Sequence, residues 1–521
     1  MMSSNKTDKN NWLAAGIAGI AAAASMFSIA QLISVFFAVP AAPLNSLGSA
    51  FIDVTPAWLK DFVIGIFGTN DKLVLWLSMA VVVVGAAFLI GMLAQRRFAA
   101  AASCIVLLGI GIAFAILSRT GASAGDLTPL VIGSICGLFV LKWLNAVAKS
   151  VLTTGQAPEF SAHASTTRRQ FILFTSLTIA GSLLAAGVSK YLSTARDLSI
   201  AARESLRLPT AKRRVAPVPP SAQIELAGMP QFLTSNADFY RIDTALTVPQ
   251  IDPAQWSLRV HGMVEHEISM SFAQLLEQEL VESYLTLACV SNPVGGDLVG
   301  NAKWLGYPIR LLLARAAPLP GADMVLSTSS DGFTASTPLE TLTDQRMALL
   351  AVGMNGQPLP FEHGFPVRMV VPGLYGYVSA TKWVVDLEVT RFADKVAYWS
   401  TRGWSERGPV KLSSRVDIPR NNATVSLNNL VLGGTAWAQT RGISAVELSF
   451  DDGPWVGAEL GDEVSVDTWR QWRYLWGAAS LGNHSVKVRA IDGHKEIQRG
   501  DIASPAPNGA SGWHQIHFTV G

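Results

Sequence analysis

Leu285-Thr-Leu-Ala-Cys289-Val-Ser-Asn292-Pro-Val-Gly295-Gly296-Asp-Leu-Val-Gly300-Asn301-Ala-Lys-Trp304-Leu-Gly306 is the densest stretch of this chain. A β-rich run ends at Cys289, and an irregular loop follows, built from Asn292, Pro293, Gly295, Gly296 and Gly300. Glycine lets the backbone approach a bulky ligand closely, and asparagine satisfies exposed polar groups in such a turn. A lone cysteine is most often a small core residue, but a core cysteine needs no loop of this kind. Zinc would require two or more further thiolates or histidines at short spacing, and none is present. Nucleophilic chemistry of the cysteine-protease type needs only a distant histidine, so spacing leaves it open.

The other two cysteines, Cys104 and Cys136, lie in apolar runs, so the chain has no disulfide framework and Cys289 is the single thiol of its polar part. Hydrophobic residues make up 50% of the 521 positions and charged residues 15%, and the apolar excess falls in the first 190 or so. The length suits roughly three units of about 150 residues. A net charge of +2 excludes a nucleic-acid partner and a strongly acidic substrate.

Five stretches are apolar over about 20 residues, enough to cross a membrane as helices. They are Trp12 to Val39, Leu73 to Ala94, Phe98 to Leu117, Leu127 to Val147 and Phe171 to Tyr191. Phe51 to Phe67, broken by Asp53, Pro56, Lys60 and Asp61, reads as an interfacial helix. Lys6, Lys9, Arg96, Arg97, Lys142, Lys149, Arg168 and Arg169 alternate along the chain as an inside amino terminus requires. Five crossings then put everything after Tyr191 on the extracytoplasmic side, periplasmic or outer. No span holds a histidine, so no membrane haem is expected. None has a central acidic residue or lysine either, so anchoring in lipid and docking a partner is the expected role. Thr166-Thr-Arg168-Arg169-Gln-Phe171-Ile172 resembles the twin-arginine export signal, a route for domains that fold around a cofactor before export. Residues 1–192 thus read as a five-helix transmembrane anchor, and the basic, proline-rich 193–229 as an exposed linker with extended pieces.

Residues 230–395 mix short strands (Ser257 to Val260, Tyr284 to Ala288) with helices (Phe272 to Leu280, Leu311 to Ala316), an α+β pattern. Two further segments stand out: Asn236-Ala-Asp-Phe239-Tyr240-Arg241, and Asn355-Gly-Gln-Pro-Leu-Pro-Phe-Glu-His363-Gly-Phe-Pro-Val-Arg368-Met-Val-Val-Pro372-Gly373-Leu-Tyr375-Gly376, which leads to Lys382-Trp383. With the Cys289 loop, these resemble the sulfite oxidase family of molybdopterin enzymes over about 150 residues. The resemblance implies a cofactor of molybdenum on one pyranopterin dithiolene, with Cys289 as its protein ligand. It further implies cofactor contacts from Asn236, Tyr240, Arg241, Ser330, His363, Arg368, Thr381 and Lys382, and a substrate pocket with Tyr375, Tyr398 and Arg402. A buried phosphate tail needs cations and fixed donors, which Arg368 and Lys382 supply.

Residues 396–521 read as a β-sandwich, with strands at Ala423 to Leu427, Ile443 to Phe450, Val464 to Trp469 and His484 to Ala490 and turns at Asp451-Asp-Gly453 and Asp492-Gly493. Trp469-Arg-Gln-Trp472 and Trp513-His514 resemble the immunoglobulin-like dimerisation domain of the same family, which implies a homodimer. His514 is expected to serve the fold, not a metal.

The implied activity is oxygen-atom transfer to or from a small sulfur- or nitrogen-containing substrate, with electrons passed to a separate carrier, a cytochrome or a quinone-linked protein. One departure matters. Sulfite oxidases proper continue from the cysteine with Ala-Gly-Asn-Arg-Arg, whereas this chain has Val290-Ser291-Asn292-Pro293-Val294. Loss of a charge-assisted contact to a buried anion costs about 2 kcal/mol or more, so sulfite fits only where Arg402, Arg415 or Arg441 compensates. A cofactor-free binding or scaffolding protein that keeps the fold is the competing reading.

Overall fold

The computed structural model describes residues 4–37, 41–56, 59, 63, 66–67, 71–119, 122–153, 173–185, 187–188, 198–245, 247–427, 430–477 and 479–521. Two compact units result, Met1–Leu198 with Thr244–Thr247, and Ser199–Asp243 with Val248–Gly521.

The first unit is helical: α1 (Ser4–Ser34), α2 (Pro43–Val54), α3 (Asp71–Arg96), α4 (Phe98–Leu117) and α5 (Thr128–Thr153). Four apolar segments, Trp12–Ser34, Leu73–Arg96, Phe98–Leu117 and Ala124–Val147, are long enough to cross a membrane, with mean hydropathies of 1.9, 2.7, 2.6 and 1.9. The fifth expected span corresponds to a shorter apolar helix, Leu173–Ala185, and the twin-arginine segment before it lies outside the described residues. Helix α1 packs against α3 and α5 through glycines. A Cβ on Gly19 would lie 2.0 Å from Ala87 O, and one on Gly133 would lie 2.5 Å from Met26 O. Small residues of this kind let apolar helices approach closely where burial alone gives no drive. Of the expected interfacial helix, only Phe51–Val54 belongs to α2, which Pro43 opens and which ends at Thr55 because Pro56 disfavours helix there, and most of the stretch from residue 57 to 67 lies outside the described residues.

In the second unit, β1 (Ser257–Gly262), β2 (Ile268–Ser271), β5 (Met324–Ser329), β6 (Thr334–Pro338) and β10 (Val384–Thr390) form one sheet in the order β2-β1-β10-β5-β6. Strands β3 (Val281–Ala288), β4 (Val299–Pro308), β7 (Leu349–Met354) and β8 (Gln357–Pro358) form another in that order, and β9 (Arg368–Val370) pairs with β7. Every residue of β7 is buried. Its alternation explains why: Leu350 and Val352 enter one core with β1 and β10, while Leu349 and Ala351 enter a second with Trp304 and Phe239.

The carboxy-terminal half has two sheets sharing one core. Strands β11 (Ser413–Ile418), β13 (Val431–Trp437), β16 (Glu459–Leu460) and β17 (Arg470–Leu475) run in the order β11-β13-β17-β16. Opposite them, β12 (Ala423–Val425), β14 (Ile443–Phe450), β15 (Trp455–Gly457), β18 (Gly482–Asp492) and β19 (His514–Val520) run β12-β19-β18-β14-β15. Val416, Leu432 and Trp472 from the first sheet meet Leu448, Val486, Val488 and Phe518 from the second.

Two expectations change here. Val464 to Trp469 is a turn, not a strand: Thr468 Oγ1 donates to Ser465 O, and Trp469 N–H goes to Thr286 Oγ1 on β3 at 2.8 Å. Residues 206–229 are no free linker either. Lys212 N–H donates to Leu280 O, Glu282 N–H donates to Arg213 O, and Ala222 is fully buried. An extended chain with prolines can lie along a sheet only at its edge, and β3 is an edge strand.

Candidate active site

Strand β3 pairs with β4 in antiparallel register, Ala288 opposite Val299, so Cys289 is the first residue beyond the ladder. Its N–H donates to Leu298 O at 2.9 Å. Asn292 closes the loop: its N–H reaches Cys289 O, and its buried Oδ1 accepts from Leu298 N–H at 2.9 Å. The glycines are required by close approach. Gly295 has φ of 78°, and a Cβ there would lie 2.2 Å from the His514 ring, while one on Gly300 would lie 2.8 Å from Phe239. Burial pushes the Cys289 thiol up, and hydrogen bonds from Ser291 and Val290 pull the other way, toward thiolate.

On one side of Cys289 lies a group of buried cations and donors. Arg368, 4% exposed, donates to His363 O at 3.2 Å and Ala380 O at 3.4 Å and stands 5.2 Å from the Trp304 ring. No carboxylate pairs with it among the described residues, and burial lowers its pKa to about 10, with Tyr240 opposing. Tyr240 itself is pushed up by burial and then by Cys289, with Arg368 opposing. Lys382, also buried, reaches Asp243 Oδ2 at 3.0 Å and is lowered to about 8 by burial, against the pull of Asp243. Arg241 shares that carboxylate at 2.8 Å. His363 Nε2 meets Asn236 O at 3.0 Å, and its pKa falls to about 4 through burial, Arg368 and Lys382. Asn355, at the tip of the β7–β8 turn with φ of 51°, holds Asn236 by donating to its Oδ1 at 2.9 Å.

Two buried atoms here have no hydrogen-bond partner: His363 Nδ1 and Ser330 Oγ. Two cations and the unmet Ser330 hydroxyl under cover suit an anionic group, while His363 Nδ1, an acceptor because Nε2–H donates to Asn236 O, suits an N–H or O–H of the same molecule, and an unmet buried polar group otherwise costs about 1–3 kcal/mol. Residues of this chain therefore fit a phosphate-bearing cofactor. No group of three metal-binding side chains occurs among the described residues, so a metal at Cys289 must bring its other ligands with it. Thr381, in contrast, spends its hydroxyl on Ser327 Oγ at 2.7 Å.

On the other side of Cys289 is a small cleft lined by Ala288, Cys289, Asn292 to Gly295, Tyr375, Ser413, Ser414, Trp437, Gln498 and Ala510 to Gly512. Half of that wall comes from the carboxy-terminal sheets. Arg402 does not line it, because its guanidinium lies 3.5 Å above the Tyr398 ring and donates to Tyr398 O at 2.7 Å. Sequence reading missed Asp243, Trp437 and Gln498, which carry no local signal, and the place of His514 against the cysteine loop.

Residues 245–399 match the family model "Oxidoreductase molybdopterin binding domain". The chain is 27% identical over 343 residues to mitochondrial sulfite oxidase of Rattus norvegicus, covering 56% of this chain and 62% of that protein. The human enzyme gives the same identity over 344 residues and the same shares. An uncharacterized oxidoreductase of Bacillus subtilis, YuiH, is 29% identical over 191 residues, 37% of this chain and 87% of that one. Among solved structures, the sulfane dehydrogenase SoxCD of Paracoccus pantotrophus matches with a TM-score of 0.46 and 22% identity, covering 57% of this chain and 84% of that one. The chain therefore spans less than two thirds of the rat and human sulfite oxidases.

Proposed function

We propose, from the premise that residues 245–399 are a molybdopterin-binding oxidoreductase domain of the sulfite oxidase family, that this protein is a membrane-anchored molybdenum oxidoreductase. Its chemistry faces the extracytoplasmic side, and electrons pass to or from a separate carrier. The observation that carries the reading is Arg368, buried without a carboxylate beside Lys382 and beside the unmet His363 Nδ1 and Ser330 Oγ.

In this reading Arg368, Lys382 and Ser330 hold the anionic end of the cofactor, His363 Nδ1 accepts from one of its N–H or O–H groups, and Asn236 and Arg241 fix His363 and Asp243 around it. Cys289 is the protein ligand to the metal, and the Ser291 and Val290 donors offset part of the burial that disfavours its thiolate. When bound, the cofactor supplies oxygen-atom transfer and the redox change that goes with it. Tyr375 and the cleft beside Cys289 admit a small substrate, and the carboxy-terminal sheets complete that cleft and serve as an immunoglobulin-like dimerisation domain. The four long apolar helices, with Leu173–Ala185 as a fifth span, support the anchor.

Metal analysis of the purified full chain tests the proposal. Molybdenum near equimolar with protein supports it, and protein from molybdate-replete cells that carries none sinks it. The scaffolding reading leaves the buried cations and unmet atoms without a purpose.

A further inference from the structure

Thr286 lies on β3, three residues before Cys289. Strand β3 is the edge of its sheet, so β4 satisfies only one side of it. Lys212, Arg213 and Val215 cover the other side as far as Glu282. Beyond that point the carboxy-terminal sheets take over, and they close on one residue. Thr286 N–H donates to Asp467 O at 3.0 Å, Gln439 Nε2 donates to Thr286 O at 2.9 Å, and Trp469 N–H donates to Thr286 Oγ1 at 2.8 Å. The Thr286 hydroxyl donates in turn to Asn301 Oδ1 on β4 at 3.1 Å, so every polar group of the residue is used. The two gripping segments are tied to each other, because Thr440 N–H donates to Asp467 Oδ1 at 3.0 Å. Asn301 Nδ2 and the Trp469 indole N–H both donate to Phe232 O, at 2.9 and 3.0 Å.

Packing alone does not call for this node. Thr286, Asn301 and Gln439 are each 3% exposed or less, and polar side chains in a dry interior cost desolvation that their bonds only offset. Valine at 286 would fill the same shape without a hydroxyl to satisfy. Gln439 Oε1 stays without a partner. A buried atom left unmet marks a place where the fold serves something besides its own stability. The beneficiary is the next stretch of chain: β3 ends at Ala288, and the backbone that leaves Thr286 sets where the Cys289 sulfur points. A metal ligand works only when it is fixed to within about 0.5 Å. Trp437, two residues before Gln439, lines the cleft, so the segment that grips β3 also walls the site.

We propose that Thr286 is a positioning residue, through which the carboxy-terminal sheets hold β3 and so fix the direction in which Cys289 presents its sulfur. This rests on the molybdenum reading above for what the sulfur meets, but not for the clamp itself.

Two readouts on the full chain in detergent test it. One is the rate at which iodoacetamide alkylates Cys289, located by mass spectrometry, in protein from a host unable to make the pterin. The other is the Mo(V) electron paramagnetic resonance signal of loaded protein after partial reduction with dithionite, whose g-values follow the orientation of the sulfur on the metal. Thr286→Val keeps the side-chain shape and leaves Asn301 Oδ1 and Trp469 N–H without their partner. Opening at the end of β3, and alkylation with it, should rise about tenfold, and the g-values should shift or split into more than one species. Thr286→Ser should bring both readouts back to within about twofold of wild type or to its spectrum. Gln439→Leu, which leaves β3 unaltered, should move both in the same direction, and it decides the matter where Thr286→Val does not fold. Leu448→Ala, in the core between the two carboxy-terminal sheets, destabilises without touching the clamp and should leave both at wild-type values. Wild-type alkylation or a wild-type signal in both clamp variants overturns the proposal, as does failure of serine to restore them or an equal rise in Leu448→Ala. Protein that carries no molybdenum refutes the cofactor reading instead, and alkylation then decides the clamp by itself.

Discussion

Replacing Arg368 with methionine separates what this residue costs the fold from what it gives the cofactor. The residue is 4% exposed, and its pKa is held at about 10 by burial. That depression corresponds to roughly 3 kcal/mol against the charged form in the free protein. Methionine is close in length, carries no charge, and gives up the bonds to His363 O and Ala380 O, worth about 1 kcal/mol each. The cofactor-free chain should therefore be at least as stable as wild type, by up to about 1 kcal/mol. Toward an anionic cofactor the sign reverses. Two charge-assisted hydrogen bonds at about 1.5–3 kcal/mol each imply a loss of retention on the order of a hundredfold or more. The assay pairs denaturant unfolding, followed by tryptophan fluorescence, on protein from a host unable to make the pterin, with pterin fluorescence after dialysis of loaded protein. A variant that is destabilised by more than about 2 kcal/mol without cofactor, yet keeps its pterin as wild type does, would refute the reasoning.

Three further outcomes follow, two from the geometry of the site and one from the sequence before Leu173. Gly295→Ala puts a Cβ 2.2 Å from the His514 ring at φ of 78°, a strain of about 1–3 kcal/mol that should displace the cysteine loop; pterin retention and metal content like wild type would show that the loop tolerates it. His363 stays neutral in the fold down to about pH 4 but takes its proton near pH 6.5 in the unfolded chain. The unfolded state thus binds more protons in that window, and cofactor-free stability should fall by about 3 kcal/mol between pH 6.5 and 4 from this residue. His363→Gln should flatten that slope, and an unchanged slope in denaturant titrations at several pH values contradicts the assignment. Changing both Arg168 and Arg169 to lysine keeps the charge but removes the export motif, so the second unit should stay inside; normal export, read by protease accessibility in spheroplasts, would exclude the twin-arginine route.

Local chemistry made part of this molecule readable. Gly295, Gly296, Gly300 and Asn292 mark the cysteine loop because close approach and the Asn292–Leu298 bond demand those residue types within a few positions of one another. The long apolar helices were legible for a similar reason, since span length is a local property. What failed was whatever depends on distant partners. Val464 to Trp469 has the composition of a strand, but Thr286 on β3 takes the Trp469 N–H and holds the segment as a turn. The basic, proline-rich stretch before Met229 looks solvated until β3 offers it an edge. Arg402 was placed in the pocket by resemblance and lies instead on Tyr398, while Trp437 and Gln498, more than 140 positions beyond Cys289, reach the cleft only because two sheets fold back on it.

The central claim is that a molybdenum cofactor is bound through the Cys289 thiolate. X-ray absorption at the molybdenum edge, on the full chain and on Cys289→Ser loaded in the same cells, measures that bond directly. The account predicts that the variant retains metal and pterin, loses one sulfur neighbour of molybdenum, and no longer turns over. An identical sulfur shell in both proteins, or retained turnover in the variant, would contradict it.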